Sequence, residues 1–319
     1  MYSSGGLSVG GMKLALDDAC HEVCFVSHAH SDHTEAFRKK GRSIIASDET
    51  FALMGREQQS HPPPASVSLH PAGHMLGARQ LLADTENGKF VYTGDFSLHD
   101  SFTAKRAPIL QCDTLMIDTT YALPHLRFPR RERVLSDMSR FVKENERGII
   151  VFGAYVRGKT QELVRFLNIE CGVAPVVNES ASKICAIYEK CGVKLDYLAA
   201  GSEEAEEAMR SSFTGIMPSS MVNFQFGANL AEAYGREVKT AVATGWAHVS
   251  RFPVDSAFAL SDHADFKDTM RYIYESGAKK IICANSSEAE AASYLRSLGI
   301  DAVEKEEAGK SFQTTLAKS

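Results

Sequence analysis

The sequence predicts a mixed α/β protein in which a parallel-sheet domain interrupts a domain of short strands. Three observations carry this. From Leu7 to Ile117, short β-branched and aromatic runs are separated by Gly, Pro and Asn turns. From Glu132 onward, apolar strand runs alternate with helical patterns, which is the signature of βαβ units. Strands return at Val238, and two helix–strand units close the chain. With 319 residues and 44% apolar content the chain can bury a large core and fits about two domains. The expected division is 1–123 with 240–319, and an inserted parallel-sheet domain over 124–239.

Leu7–Val9 and Met12–Leu16 read as a hairpin through Gly10-Gly11. The apolar run Val23–Val26 reads as a buried strand that feeds Ser27-His28-Ala29-His30-Ser31-Asp32-His33. His28, His30, Asp32 and His33, four potential metal ligands, fall close together in a chain with 11 histidines. In extended backbone His28, His30 and Asp32 project to one side and can converge, while His33 faces the other side, where a second centre fits. Imidazole mixed with carboxylate suits zinc, ahead of manganese or iron.

Asp32–Lys40 is helix-like, Ser43–Ala46 a strand, and Asp48–Glu57 a helix with Asp48 as N-cap. Pro62-Pro63-Pro64 breaks the chain before strand Ser66–His70. In Pro71–Ala78, glycines on both sides of His74 let the backbone bend close to a bound group. Alone, His74 reads as a loop histidine. Leu81–Asp84 and Phe90–Tyr92 flank the hairpin turn Glu86-Asn87-Gly88, and the second strand runs into Thr93-Gly94-Asp95. Alone, Asp95 reads as a turn residue. Together these segments supply enough ligands for two adjacent metals, which a shared carboxylate would hold ~3.5–4 Å apart.

After strand Thr114–Ile117 come helix Glu132–Glu146, strand Gly148–Phe152, helix Thr160–Leu167, strand Val173–Val177 and helix Ser182–Lys190. Gly153–Thr160 satisfies the P-loop pattern, yet no Walker-B strand follows. Helix N-terminal amides with basic side chains make a phosphate site, so Arg157, Gly158, Lys159 and Thr160 are expected to hold a phosphate. Arg127, Arg130, Arg131, Arg133 and Arg165 add a basic patch that can track a phosphodiester chain. Ser202–Arg210 is an exposed helix; Val238–Thr244, Ala257–Leu260 and Lys280–Cys283 are strands; Asp265–Tyr274 and Ser287–Leu298 are helices.

The net charge of −5 argues against a protein coated in basic residues. No apolar run approaches the ~18 residues of a membrane span, so no membrane partner is expected. The N-terminus lacks a signal-peptide pattern, which makes the cytoplasm the default location. The seven cysteines form no Cys-x-x-Cys pair and read as reduced thiols. His70, His99, His125 and His248 read as ordinary histidines.

His-x-His-x-Asp-His, then a glycine-flanked His, then Gly-Asp closing a strand together resemble the metallo-β-lactamase fold, an αββα sandwich with metals at one edge of its two sheets. The resemblance implies that His28, His30 and His74 hold one zinc, Asp32 and His33 the other, and that Asp95 bridges them. Asp17, rather than Asp18, matches the early Asp that supports the metal loop. Asp118-Thr119-Thr120-Tyr121 and Leu260-Ser261-Asp262-His263-Ala264-Asp265 resemble the added motifs of the β-CASP nucleases, which cut nucleic-acid phosphodiesters. By that resemblance His263 contacts the scissile phosphate or protonates the leaving oxygen, and Asp118 orients it.

RNA-cutting members carry one more histidine in the last strand–helix turn, where this chain has Ala284 or Asn285. That loss, Asp-Thr-Thr-Tyr and Tyr-x-x-Gly-Lys resemble the DNA-directed Artemis and cross-link repair branch. Gly73–Ala78 resembles the RNA 3′-end processing branch. The expectation is a zinc-dependent nuclease with one firm and one weaker metal site, Mn²⁺ being the alternative ion. Its substrate is expected to be single-stranded DNA, cut in a 5′-exonuclease-like mode, ahead of RNA. Rival readings are a small-molecule metallo-hydrolase and a non-catalytic nucleic-acid-binding relative.

Overall fold

A computed structural model describes residues 2–3, 5–57 and 60–310. The chain is a mixed α/β protein of two units, Met1–Arg127 with His263–Ser319, and Phe128–Asp262.

In the first unit β1 (Tyr2–Ser3), β2 (Gly6–Val9), β3 (Met12–Leu16), β4 (Val23–Phe25) and β5 (Ser43–Ile45) form one sheet in that order. A single-turn helix Glu35–Arg38 and α1 (Asp48–Leu53) lie around β5 in sequence. The expected helix over Asp32–Lys40 is therefore only the turn Glu35–Arg38. Then follow β6 (Val67–Pro71), β7 (Arg79–Thr85), β8 (Gly88–Tyr92) and β9 (Thr114–Asp118).

The second unit runs α2 (Arg131–Glu144), β10 (Ile149–Ala154), α3 (Lys159–Phe166), β11 (Val176–Val177), α4 (Glu179–Lys190), β12 (Leu198–Ala199), α5 (Glu203–Met209), β13 (Phe213–Pro218), α6 (Phe224–Tyr234), β14 (Val238–Ala243) and β15 (Ser256–Phe258). The first unit is completed by α7 (Phe266–Ser276), β16 (Lys280–Ala284), α8 (Glu288–Ser297), β17 (Ala302–Glu304) and α9 (Lys305–Lys310). Among the described residues no helix is long and apolar enough to cross a membrane.

The second sheet of the first unit has the order β17-β16-β9-β8-β7-β6. One core joins the two sheets: Leu14, Leu16 and Phe25 from the first meet Leu81, Phe90, Tyr92, Met116 and Ile282 from the second. Alternation places Ala15, Cys24 and Val26 on the other face of the first sheet, where Phe37 and Phe51 cover them. Val23–Val26 is apolar throughout because both faces of β4 are covered. Helix α7 buries Phe266, Thr269, Tyr272, Ile273 and Ser276, a stripe at helical spacing.

The sheet of the second unit, β12-β11-β13-β10-β14-β15, is wholly parallel. The second boundary lies at Asp262 rather than at residue 239. Strands β14 and β15 pair in register Ala241↔Ser256 through Ala243↔Phe258, and β14 pairs with β10, so residues 240–262 complete this sheet.

Candidate metal centre

Strand β4 ends at Phe25, and the histidine loop begins two residues later. Its histidines are placed by one buried carboxylate. Asp17 Oδ1 accepts from the Ser27 amide at 2.6 Å, and Oδ2 accepts from Tyr92 Oη at 2.8 Å and His33 Nδ1 at 2.7 Å. Ser27 Oγ gives its single proton to Asp17, so it accepts from His28 Nδ1 at 2.9 Å. That leaves His28 Nε2 as a lone pair. Burial and the imidazoles of His33, His74 and His30 hold the His28 pKa well below the ordinary value, which favours the neutral, ligating form.

The loop is not extended throughout. His33 N–H donates to His30 C=O at 3.1 Å, which closes a turn. His28 and His30 converge as expected, whereas Asp32 swings to the side of His33. The side chain of Asp32 is 77% exposed, and its Oδ2 lies 3.5 Å from His33 Nε2. The alternation argument fails for Asp32 because it assumes a strand where the backbone turns.

The partner of His28 and His30 is His74. Its loop crosses the backbone of the Ser97–Ala107 segment so closely that a Cβ on Gly73, at φ +78°, would sit 2.4 Å from Ser97 C=O. Glycine is required there. Gly94 lets Asp95 approach in the same way, since a Cβ there would meet Ser27 Cβ at 2.6 Å.

The four ligand atoms face one another. His30 Nδ1 lies 3.0 Å from both His28 Nε2 and His74 Nε2, and Asp95 Oδ2 lies 3.4 and 3.6 Å from those two. A tetrahedral site with bonds of ~2.0–2.1 Å separates its ligands by about 3.3 Å. The donor set therefore fits one divalent ion.

The other oxygen of Asp95, Oδ1, lies 3.5 Å from His33 Nε2, so Asp32, His33 and Asp95 outline a second, more open set. Burial pushes the Asp95 carboxyl up to about 6, against the pull of His33 and His263 and with the repulsion of Asp118 added. Burial opposes charge on His33, but Asp95 and Asp17 hold its pKa well above the ordinary value. Bound cations would satisfy these carboxylates in place of protons.

Beside this centre His263 Nδ1 pairs with Asp118 Oδ2 at 2.8 Å, and His263 Nε2 lies 3.8 Å from Asp95 Oδ2. Asp118 is buried, and Thr120 donates to its Oδ1 from both backbone and hydroxyl. Burial opposes the charge on Asp118, yet its hydrogen bond with His263 holds the carboxyl below its usual range. Asn285 was not foreseen as an active group. Its Nδ2 donates to Asp95 Oδ1 at 2.7 Å and to Asp118 Oδ1 at 3.2 Å, so it braces the two carboxylates. Ser27 and Tyr92 were also missed; a β-strand tyrosine carries no signal that its hydroxyl meets a residue 75 positions away. His70 meets Ser68, and the largely exposed His99 pairs with Asp268.

The expected phosphate site is a different object. Lys159 is buried, and its Nζ donates to Glu162 Oε2 at 2.8 Å and Asp262 Oδ1 at 2.7 Å; Arg131 also pairs with Glu162. The amides are spent as well, Gly158 N on Gln161 Oε1, Lys159 N on Arg157 C=O and Thr160 N on Tyr155 C=O. Thr160 Oγ1 donates to Tyr155 C=O. Two carboxylates have taken the charge the phosphate would have used, so Lys159, Gly158 and Thr160 are structural. Arg157 is half-buried.

No family model matches the sequence. The chain is 31% identical over 302 residues to a protein named "Probable DNA ligase" from Opitutus terrae, which covers 87% of this chain and 28% of that protein. It is 30% identical over 175 residues to the "5' exonuclease Apollo" of Gallus gallus, covering 49% of this chain and 38% of that one. It is 30% identical over 106 residues to "Cleavage and polyadenylation specificity factor subunit 3" of Dictyostelium discoideum, covering 32% of this chain and 13% of that one. The chain thus spans well under half the length of these relatives. Among solved structures, one of a protein of unknown function from Enterococcus faecalis V583 superposes with a TM-score of 0.59 at 17% identity, over 84% of this chain and 76% of that one. With these relatives and the ordered ligands of the histidine loop, His74, Asp95, Asp118 and His263, the chain belongs to the β-CASP group of metallo-β-lactamase-fold proteins.

Proposed function

We propose that this chain is a metal-dependent nuclease that hydrolyses phosphodiester bonds in single-stranded nucleic acid, DNA ahead of RNA. In this reading the two-sheet unit is the αββα sandwich of the group and the parallel-sheet unit its insertion. The observation that carries the reading is Asp95, whose two oxygens face two different ligand sets while His263 stands beside one of them. Zinc is the proposed ion, with Mn²⁺ as the alternative, held firmly by His28, His30, His74 and Asp95 and more weakly by Asp32, His33 and Asp95.

A divalent ion bound there supplies Lewis acidity, bringing the pKa of water toward ~7 and offsetting negative charge on phosphoryl oxygens. The chain's own groups do the rest. Asp17 engages Nδ1 of His33 directly and Nδ1 of His28 through Ser27, which turns both Nε2 atoms toward the ligand cluster. Asp32, exposed at the mouth, and Asp95 orient the attacking water and accept its proton. His263, with Nδ1 fixed by Asp118, presents Nε2 to protonate the departing oxygen.

DNA is favoured because the relative named "Probable DNA ligase" matches 87% of this chain, against 32% for the cleavage and polyadenylation factor. The RNA reading rests on that last match and on the Gly73–Ala78 segment. The test is Asp32→Ala with a 5′-phosphorylated single-stranded oligonucleotide, in DNA and RNA versions. Cleavage should vanish with little loss of binding, and full activity in the variant would overturn the assignment.

A further inference from the structure

Building on the nuclease reading, we propose that the C-terminal edge of the parallel sheet in the second unit binds single-stranded nucleic acid by base stacking on Tyr155 and Trp246. Strands β13, β10 and β14 are neighbours, registered Ala154↔Pro218 and Gly153↔Val242. Tyr155, Ser219 and Thr244 therefore leave the sheet side by side. With strands ~4.8 Å apart, the three loops start within about 10 Å of one another. In parallel α/β sheets this edge is where ligands bind.

The loops expose what a folded core would hide. Tyr155 is 63% exposed, Phe224 57%, Met221 47% and Trp246 37%. Trp246 is held in a short turn, Gly245–His248, capped by Thr244 Oγ1, and its C=O accepts from Ser250 N at 2.8 Å. The ring is thus displayed by ordered backbone. Phe224 opens α6, with its N–H bonded to Pro253 C=O at 2.7 Å.

Charge selects the occupant. The sequence over 155–158, 219–224 and 244–251 contains no carboxylate, in a chain with 40 Asp and Glu, but holds Arg157, His248 and Arg251. Aromatic faces interleaved with cations and free of acids match stacked bases on a phosphate chain, because every base has a π-face and every linkage a negative charge. A lipid surface would call for more cations than the three these loops hold.

The chain holds a single tryptophan, so its emission reports this edge alone. Metal-loaded full-length protein is titrated with phosphorothioate-linked oligo-dT and oligo-U, and in a separate arm with phosphatidylglycerol vesicles. Saturable quenching by an oligonucleotide is expected, and Tyr155→Ala and Trp246→Leu should each weaken binding by about five- to a hundredfold. Tyr155→Phe and Trp246→Phe should restore binding, which separates stacking from misfolding. Unchanged emission and affinity, or a response to vesicles alone, would overturn the proposal. Cleavage with no quenching sinks this proposal and leaves the nuclease reading standing. Quenching without cleavage by the wild type does the reverse.

Discussion

Replacing Lys159 with Met separates a buried structural cation from a phosphate ligand. In the structure the ammonium touches two buried carboxylates, Glu162 and Asp262. Removing one partner of a buried ion pair costs ~3–5 kcal/mol. Arg131 still holds Glu162, which places the expected loss near the lower end, ~3 kcal/mol. At ~2–4 °C per kcal/mol this lowers Tm by about 6–12 °C. Burial pushes the Asp262 carboxyl up, but Lys159 holds it below its usual range. That stabilisation is present above the ordinary carboxylate pKa and is lost as pH falls through the depressed one. In the variant a proton replaces the missing ammonium, so its deficit against wild type should shrink as pH falls through the carboxylate range. Thermal melts across pH measure the deficit, and the salt dependence of oligonucleotide binding measures phosphate contact. A phosphate ligand contributes about 0.7–0.9 to the slope of log K against log salt. We expect a lower Tm and an unchanged slope. A reduced slope with an unchanged Tm would refute the assignment.

Two further substitutions probe the centre. Asp17→Asn removes the charge that orients Ser27, His33 and Tyr92, and should weaken metal binding about 10- to 100-fold in chelator competition; undiminished affinity would show that Asp17 supports only the fold. Asn285→His places an imidazole beside Asp95 and Asp118 at a left-handed position, φ +74°, that His tolerates almost as well as Asn. Metal content should rise toward two ions per chain, and an unchanged ratio would mean that this turn does not set the count.

Much of the centre was legible because ligands cluster at strand ends, and strand ends are marked by apolar runs. The turn Gly-His and the pair Gly-Asp gained meaning only together, since Gly73 and Gly94 admit close backbone approaches that no single segment announces. Four things were hidden for physical reasons. Asp32 moved because a hydrogen bond between His33 and His30 turns a loop that reads as extended. Lys159 sits in a sound strand–turn–helix phosphate pattern, but the carboxylate that claims it lies 103 residues away. Strand β15 was legible as a strand and not as a neighbour of β14, because apolar runs specify a face and not a partner. Helix α6 went unread: Gly227 lies within it and exposed Phe224 opens it, which blurs the pattern.

The central claim is that the cluster of His28, His30, His74 and Asp95 holds a catalytic ion. The most direct measurement is cleavage of a 5′-labelled single-stranded oligonucleotide before chelation, after chelation, and after Zn²⁺ or Mn²⁺ is returned. The account predicts loss and recovery. Cleavage that persists undiminished in the chelated, metal-free protein would contradict it.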